Sequence, residues 1–375
     1  MSASSAAPLP RIHAIEGLRG ILAMWVLFSH VVTSAGLGET WRGPFRVIYV
    51  GTHAVDAFII VSGFVIFYLL DTAREGYGLF LKRRLLRLYP VYLICLLVSA
   101  ALLPMLIRVY GDAPFPHPHN DYLVAIARAS LDQLPAQLLA HLGMVHSTVP
   151  PSLLKHSNYA ILSQGWSLSL EWQFYVIAPA LLWLLLRGGI VALATIAAAC
   201  AVHFLVAGPQ GFLPRHIPEF ALGIACYLFW RQRIVPAWPL LLPAGMALAY
   251  LTTHNPAVVV WTTVFLATLQ PASIGAPLVN AVLTSTPLMT LGRWSYSVYL
   301  SHTIVLLLMK GAFGAMGVAA LGQWPYFLLL LAATVAGTLA VSALLYRLVE
   351  APCIAWGRRL GAAAAPARIA AKSDA

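Results

Sequence analysis

Residues Ile15 to Val31 read IEGLRGILAMWVLFSHV. The stretch has the apolarity and nearly the length of a helix that crosses a bilayer, for which about 20 residues are needed. Yet it carries Glu16, Arg19 and His30. A charged side chain at membrane depth costs at least about 2.5–3.5 kcal/mol, so such groups are candidate functional residues. Arg19 and His30 are separated by about three helical turns and a further 20° of rotation. They therefore point from one helix face, roughly 16 Å apart along the axis. Arg19 falls at one mouth of the span and His30 about two-thirds of the way across it.

The same pattern recurs along the chain. Apolar stretches at 18–36, 50–70, 89–107, 166–186, 189–207, 216–230, 237–252, 256–272, 294–311 and 324–346 predict an all-α, polytopic membrane protein with about ten transmembrane helices. Composition agrees: 60% of the 375 residues are hydrophobic, 9% are charged and the mean hydropathy is +0.81. Soluble domains carry about a quarter charged residues. The net charge of +11 does not point to nucleic acid, because its distribution is that of a membrane topology signal. With the N-terminus cytoplasmic, Arg11, Arg19, Arg74, Lys82, Arg83, Arg84, Arg87, Arg187, Arg231, Arg233, Arg293, Arg347, Arg358, Arg359, Arg368 and Lys372 fall inside. Arg42, Arg46, Arg108, Arg128, Lys155, Arg215 and Lys310 fall outside. With ten spans, that asymmetry places both termini in the cytoplasm; a multi-pass location in the cytoplasmic (inner) membrane is expected.

One transmembrane domain is expected over residues 11–360, flanked by disordered cytoplasmic tails at 1–10 and 361–375. A single long outer loop runs from about 108 to 164, with one or two short helices around 121–145, and loops of that length tend to be lids or binding elements. Its histidines (His117, His119, His141, His146 and His156) lack ligand-like spacing, so no metal site is expected. Cys95, Cys200, Cys226 and Cys353 lie in or beside apolar spans and read as small buried hydrophobes.

Three further polar positions stand out. Asp56 lies in the second span at a depth similar to His30, and reads either as a carboxylate that orients a general-base imidazole or as a structural partner of an Arg. Glu171, inside GWSLSLEWQFY (Gly165 to Tyr175), reads as an acceptor-binding or site-ordering group. The run Lys82 to Pro90, KRRLLRLYP, reads as a contact with anionic lipid, as a cradle for the phosphates of a nucleotide-like donor, or as both.

Seven motifs in order resemble the acyltransferase 3 family of membrane O-acyltransferases. They are IEGLRGILAMWVLFSHV, VDAFIIVSGFVIFY (Val55 to Tyr68), KRRLLRLYPVY, GWSLSLEWQFY, the segment Arg215 to Gly223, GRWSYSVYLSH (Gly292 to His302) and the closing YRLVEAPCIAWGRR. The resemblance implies transfer of an acyl group, most commonly acetyl, from cytoplasmic acyl-CoA to a hydroxyl of a sugar, glycan or lipid-linked acceptor. Acyl-CoA would be a substrate; no permanently bound cofactor is implied. By position, His30 would be the essential histidine and Arg19 its basic partner. Asp56 and Glu171 would join the catalytic group, and Arg83, Arg87, Tyr299 and His302 the donor site. The Arg19–His30 separation is comparable to a phosphopantetheine arm. A rival class, a secondary transporter or flippase, also has many spans and buried charges.

Overall fold

In lipid every backbone donor and acceptor must be satisfied within the chain, so spanning segments become helices. The computed structural model describes residues 13–38, 41, 44–73, 75–232 and 238–364, and no strand occurs among them. The expected tail at 1–10, residues 365–375 of the expected tail at 361–375, and Arg11, Arg42, Arg74, Arg233, Arg368 and Lys372 of the charge asymmetry lie outside the described residues; residues 361–364, expected in the disordered tail, are helical.

Helix α1 (His13–Ser34) is followed by the short α2 (Pro44–Tyr49), then α3 (Thr52–Ala73) and α4 (Tyr77–Ala101). Helix α5 (Leu103–Gly111) begins inside the expected span 89–107 and runs into the expected loop, which also contains α6 (Pro118–Asp132) and α7 (Leu134–Leu142), the last two covering the expected short helices. Next come α8 (Trp166–Leu186), α9 (Gly189–Leu205), α10 (Ile217–Arg231), α11 (Leu241–Thr253), α12 (Pro256–Leu269) and α13 (Ala276–Leu283). The chain ends in α14 (Thr286–Ala315), α15 (Gln323–Leu345) and α16 (Ala351–Ala364), the last two joined by a π-helical turn at Tyr346–Glu350.

Every apolar stretch singled out above contains a helix. Six helical segments are long and apolar enough to cross a membrane: α1, α3, α4, Ser163–Leu186, α14 and Gln323–Gly361. Helices α9, α11 and α12 are apolar but shorter. Helix α9 has no buried side chain, and Phe204 and Leu205 are 81% and 82% exposed, which suits a face against lipid and not against water. Cys200 on that helix is exposed, not buried as expected, while Cys95 is buried in the core.

Two close helix contacts position everything polar. Helix α1 packs along α14, where a Cβ on Gly292 would lie 2.0 Å from the Glu16 carbonyl oxygen. A Cβ on Gly20 would lie 2.9 Å from the Gly292 nitrogen. Helix α3 packs along α10, where a Cβ on Gly223 would lie 2.0 Å from the Ile60 carbonyl oxygen and one on Gly63 2.5 Å from that of Phe220. Small residues at such crossings let membrane helices gain dispersion energy that lipid cannot supply as well.

Gly292→Leu should therefore destabilise the fold by more than the about 1–3 kcal/mol of ordinary overpacking, because the clash is with backbone. Thermal unfolding of the detergent-purified variant should show a lowered midpoint or no monodisperse protein, whereas Gly314→Leu, whose Cβ would meet nothing within 4 Å, should behave as wild type.

Candidate active site

Two cavities meet inside the bundle. One, of about 300 Å³, is lined at the basic end by Arg19 of α1, Arg83, Arg84 and Arg87 of α4 and Arg358 of α16. Ser62, Ser167, Glu171, Tyr175 and Tyr296 complete its polar wall. The other, of about 540 Å³, lies toward the outer loop and is lined by His30, Ser29 and Thr33 of α1, by His117, His119 and Tyr122 of the loop, and by Gln164. Val55 and Tyr299 line both. The Tyr299 hydroxyl is bonded to Ser167 Oγ at 2.8 Å and donates to the Gln164 carbonyl at 3.2 Å. This places it between a residue of the first cavity and one of the second.

In the basic cavity the guanidinium groups are unequally partnered. Arg83 is paired with Glu75 on its own helix approach. Arg19 and Arg87 make no hydrogen bond or ion pair within reach among the described residues, although the carboxylates of Glu171 and Glu350 act on Arg19 electrostatically. Glu171 Oε1 accepts hydrogen bonds from Ser62 Oγ at 3.0 Å and Tyr175 OH at 2.7 Å, which ties α8 to α3 beside Arg19. Glu350 is buried and accepts from Ser297 Oγ at 2.7 Å. Five arginines thus face three carboxylates (Glu75, Glu171 and Glu350), leaving the cavity cationic.

His30 sits at the inner end of the other cavity against two further imidazoles. Its ring centroid is 5.1 Å from that of His302 and 6.5 Å from that of His119. His302 is fully buried, and its Nδ1 lies 2.7 Å from the Tyr299 carbonyl, so this nitrogen carries the proton. Its Nε2 has no hydrogen-bond partner. His119 arrives from α6, and burial, with the nearby His30, His117 and Lys310, holds it down at about 4.

The expected residues are therefore brought together in two groups, not one. Arg19, Arg83, Arg87, Tyr299 and Glu171 share the basic cavity, while His302 leaves that group and stands beside His30. Asp56 is corrected more sharply, since no hydrogen bond joins it to His30 and its carboxylate faces His216 and Glu219. The reason is the rotation of α3. Asp56, Ile60 and Gly63 form one stripe at helical spacing, and the glycine contact turns that stripe toward α10. The adjacent stripe, Val55, Ile59 and Ser62, about 100° round the helix, faces the cavities. The sequence reading missed Glu350 and His119; a Glu directly after a long apolar run, in YRLVEAP, was the available signal for the first.

The model for this acyltransferase domain matches residues 12–343. The chain belongs to the acyltransferase 3 family. It is 26% identical to "Acyltransferase MdmB" of Streptomyces mycarofaciens, over 95% of each chain. It is 29% identical to "Protein 2 in picA locus" of Rhizobium radiobacter over 170 residues, 44% of this chain and 78% of that one. No solved structure matches. The protein is accordingly a multi-pass membrane acyltransferase, and the transporter alternative is set aside.

Because Arg83 is already neutralised by Glu75 and Arg87 is not, their truncation should differ. Arg87→Ala should raise the KM for an anionic donor about tenfold or more at little changed kcat, the size of a lost charge-assisted contact, and Arg83→Ala should raise it less. Steady-state kinetics of the two purified variants tests the ranking.

A second prediction concerns the stacked pair His141 and His146 in the outer loop, whose ring centroids are 3.9 Å apart. Burial lowers His141 to about 4 and His146 well below its ordinary value. The folded protein keeps both neutral, whereas the unfolded chain takes up protons below about pH 6.5, so stability falls as pH drops from 7 to 5. The melting temperature should fall over that range, and His146→Phe, which keeps a ring in the stack, should flatten the slope.

Proposed function

We propose that the protein transfers an acyl group from acyl-CoA, held in the basic cavity, to a hydroxyl of an acceptor in the outer cavity, with His30 as general base. The observation that carries this reading is the shared wall. A cationic chamber and a histidine-lined chamber meet at Val55 and Tyr299, so an anionic donor and a neutral acceptor can approach one point from opposite ends. The basic end is taken as cytoplasmic, in line with the charge asymmetry of the sequence, and the membrane as the inner one.

The donor's phosphates are recognised by Arg19 and Arg87, with Arg83, Arg84 and Arg358 around them. Its pantetheine arm runs along α1, past Tyr299, to bring the thioester to His30. The acceptor hydroxyl oxygen attacks the thioester carbonyl carbon, His30 accepts the hydroxyl proton, and the carbon–sulfur bond breaks. The proton then returns to the thiolate, so the products are an ester and free CoA. His302, held by the Tyr299 carbonyl, is the imidazole that packs on His30 and limits its orientation, the part first assigned to Asp56. Glu171 acts on the donor side by ordering Ser62 and Tyr175 beside Arg19.

The acceptor class follows from the outer cavity. Its wall mixes Ser29, Thr33, Ser163 and Gln164 with the rings of Tyr49, Tyr122 and Tyr159, a lining suited to a sugar or a glycosylated or lipid-linked acceptor. Acetyl is the acyl group that the family resemblance favours.

Purified protein given acetyl-CoA and a panel of glycan and glycolipid hydroxyl acceptors should release free thiol in step with ester formation. His30→Ala should lower kcat/KM by about 10²–10⁴ while leaving the melting temperature nearly unchanged, since a cavity-lining ring contributes little packing. Substantial turnover by the folded variant would remove His30 from the chemistry.

A further inference from the structure

Helices α3 and α10 run parallel and touch at three levels. At the basic end Asp71 accepts from Arg231 Nε at 2.7 Å and from Tyr227 OH at 2.6 Å. In the middle Gly63 and Gly223 bring the backbones together. At the opposite end Asp56 meets His216 and Glu219, one ligand atom from each lying within 4.8 Å of the others. There the charge balance fails. Among the described residues neither carboxylate has a Lys or Arg within ion-pair distance, and the only partner is the His216 ring, with Nδ1 3.8 Å from Glu219 Oε2. That is too long for a hydrogen bond.

The tautomer of His216 sharpens the problem. Its Nε2 lies 2.7 Å from the Gln210 carbonyl, which only accepts, so Nε2 carries the proton. Nδ1 is then a bare lone pair, 4% of the residue being exposed, with no hydrogen-bond partner. Glu219 Oε2 is likewise buried and unpartnered. A lone pair and two carboxylates converge, and in their ionised forms the carboxylates can only accept.

We propose that Asp56, His216 and Glu219 bind a divalent cation of the Zn²⁺ or Mn²⁺ class. One imidazole and two carboxylates is a donor set these ions accept, with metal–ligand bonds of about 2.0–2.2 Å. Donors on one such ion lie about 3–4 Å apart, close to the 4.8 Å within which these three atoms already lie. The Gln210 carbonyl that fixes Nε2–H is the usual outer partner of a metal-bound histidine. Partial positive charge at the start of α10 opposes a cation there, but by far less than two carboxylates favour it. Three protein ligands leave a position for water. Asp56 and Glu219 are only half-buried, which gives the ion a way in.

The ion would do at this end of the α3–α10 contact what Arg231 does at the other. Trp166 stacks on His216 with centroids 5.7 Å apart and lines the outer cavity, and Val55, next to Asp56, lines both cavities. The tie therefore holds the wall of the acceptor chamber.

The test is calorimetric titration of Zn²⁺ into full-length protein in detergent after treatment with EDTA and its removal. One site per chain is expected, and Asp56→Asn and Glu219→Gln should each weaken it about 100-fold or more, as ligand loss exceeds the about 10–100-fold of outer-partner loss. His119→Gln, outside the cluster, should leave it unchanged. Zn²⁺ should also raise the melting temperature of wild type but not of Glu219→Gln, a near-isosteric change checked for folding by size exclusion. Absence of a stoichiometric site in wild type, or binding that persists in both carboxylate variants, would overturn the proposal. Loss of binding in His119→Gln would do the same, by moving the site to the loop histidines.

Discussion

The backbone approach of α1 to α14 is the contact on which the rest depends. Lipid chains are as apolar as leucine, so two membrane helices gain little by hiding apolar side chains from lipid and must pack closely or hydrogen-bond to associate. Gly20 and Gly292 allow the close packing at one end. At the other end Lys310 Nζ donates to the Ser34 carbonyl at 2.8 Å and lies 4.2 Å from the Tyr110 ring. Pinned at both ends, the two helices have one register. That register sets Arg19 in the same chamber as Tyr296 and Tyr299, and His30 against His302.

This packing determines where charge can be tolerated. Helix α14 is buried without interruption from Ser295 to His302, so polar groups facing it are remote from lipid. Five arginines near one cavity would repel one another and lose hydration, at a cost of at least a few kcal/mol each at membrane depth. Three carboxylates offset part of that. Glu75 neutralises Arg83 locally, whereas Glu171 and Glu350 accept from Ser62, Tyr175 and Ser297 and, among the described residues, leave Arg19 and Arg87 unbonded. The residual positive charge is thus directed into the cavity, where an anion can meet it. The π-helical turn ending at Glu350 belongs to this balance, since such turns interrupt regular helix where a side chain must be re-aimed.

How much was legible follows from what each residue depends on. Arg19 and His30 were readable because a single helix fixes their relation: Arg19 lines the basic cavity and His30 the other one. The helical segments were readable because length and apolarity suffice for them. Asp56 was misdirected because depth along an axis is given by counting residues, but rotation about it is decided by a partner. The stripe Asp56, Ile60, Gly63 did hold the answer, as a glycine on a membrane helix marks a neighbour's approach, and Gly223 on α10 is its counterpart. His119 was not legible at all: it reaches His30 from a loop whose register against the bundle has no local signature. His302 was assigned with Tyr299 to the donor site by its place in GRWSYSVYLSH, whereas the structure sets it beside His30.

Tyr299 and His302 are one turn apart on α14, and that spacing links the two chambers mechanically. The Tyr299 side chain is held by Ser167 and the Gln164 carbonyl, while its own carbonyl accepts from His302. The Gln164 side chain is in turn anchored to the Leu300 carbonyl and to Thr303 Oγ1, both at 2.9 Å. A group entering from the basic side and displacing the Tyr299 ring must strain bonds that run to the residue beside His30. On the proposed reaction this matters for more than fit. An unobstructed passage between the chambers would admit water to the thioester, and a hydroxyl acceptor at modest concentration cannot outcompete water that reaches the same carbon. A boundary that yields to the acyl-bearing arm, and is otherwise closed by hydrogen bonds within one turn of α14, favours transfer over hydrolysis by exclusion.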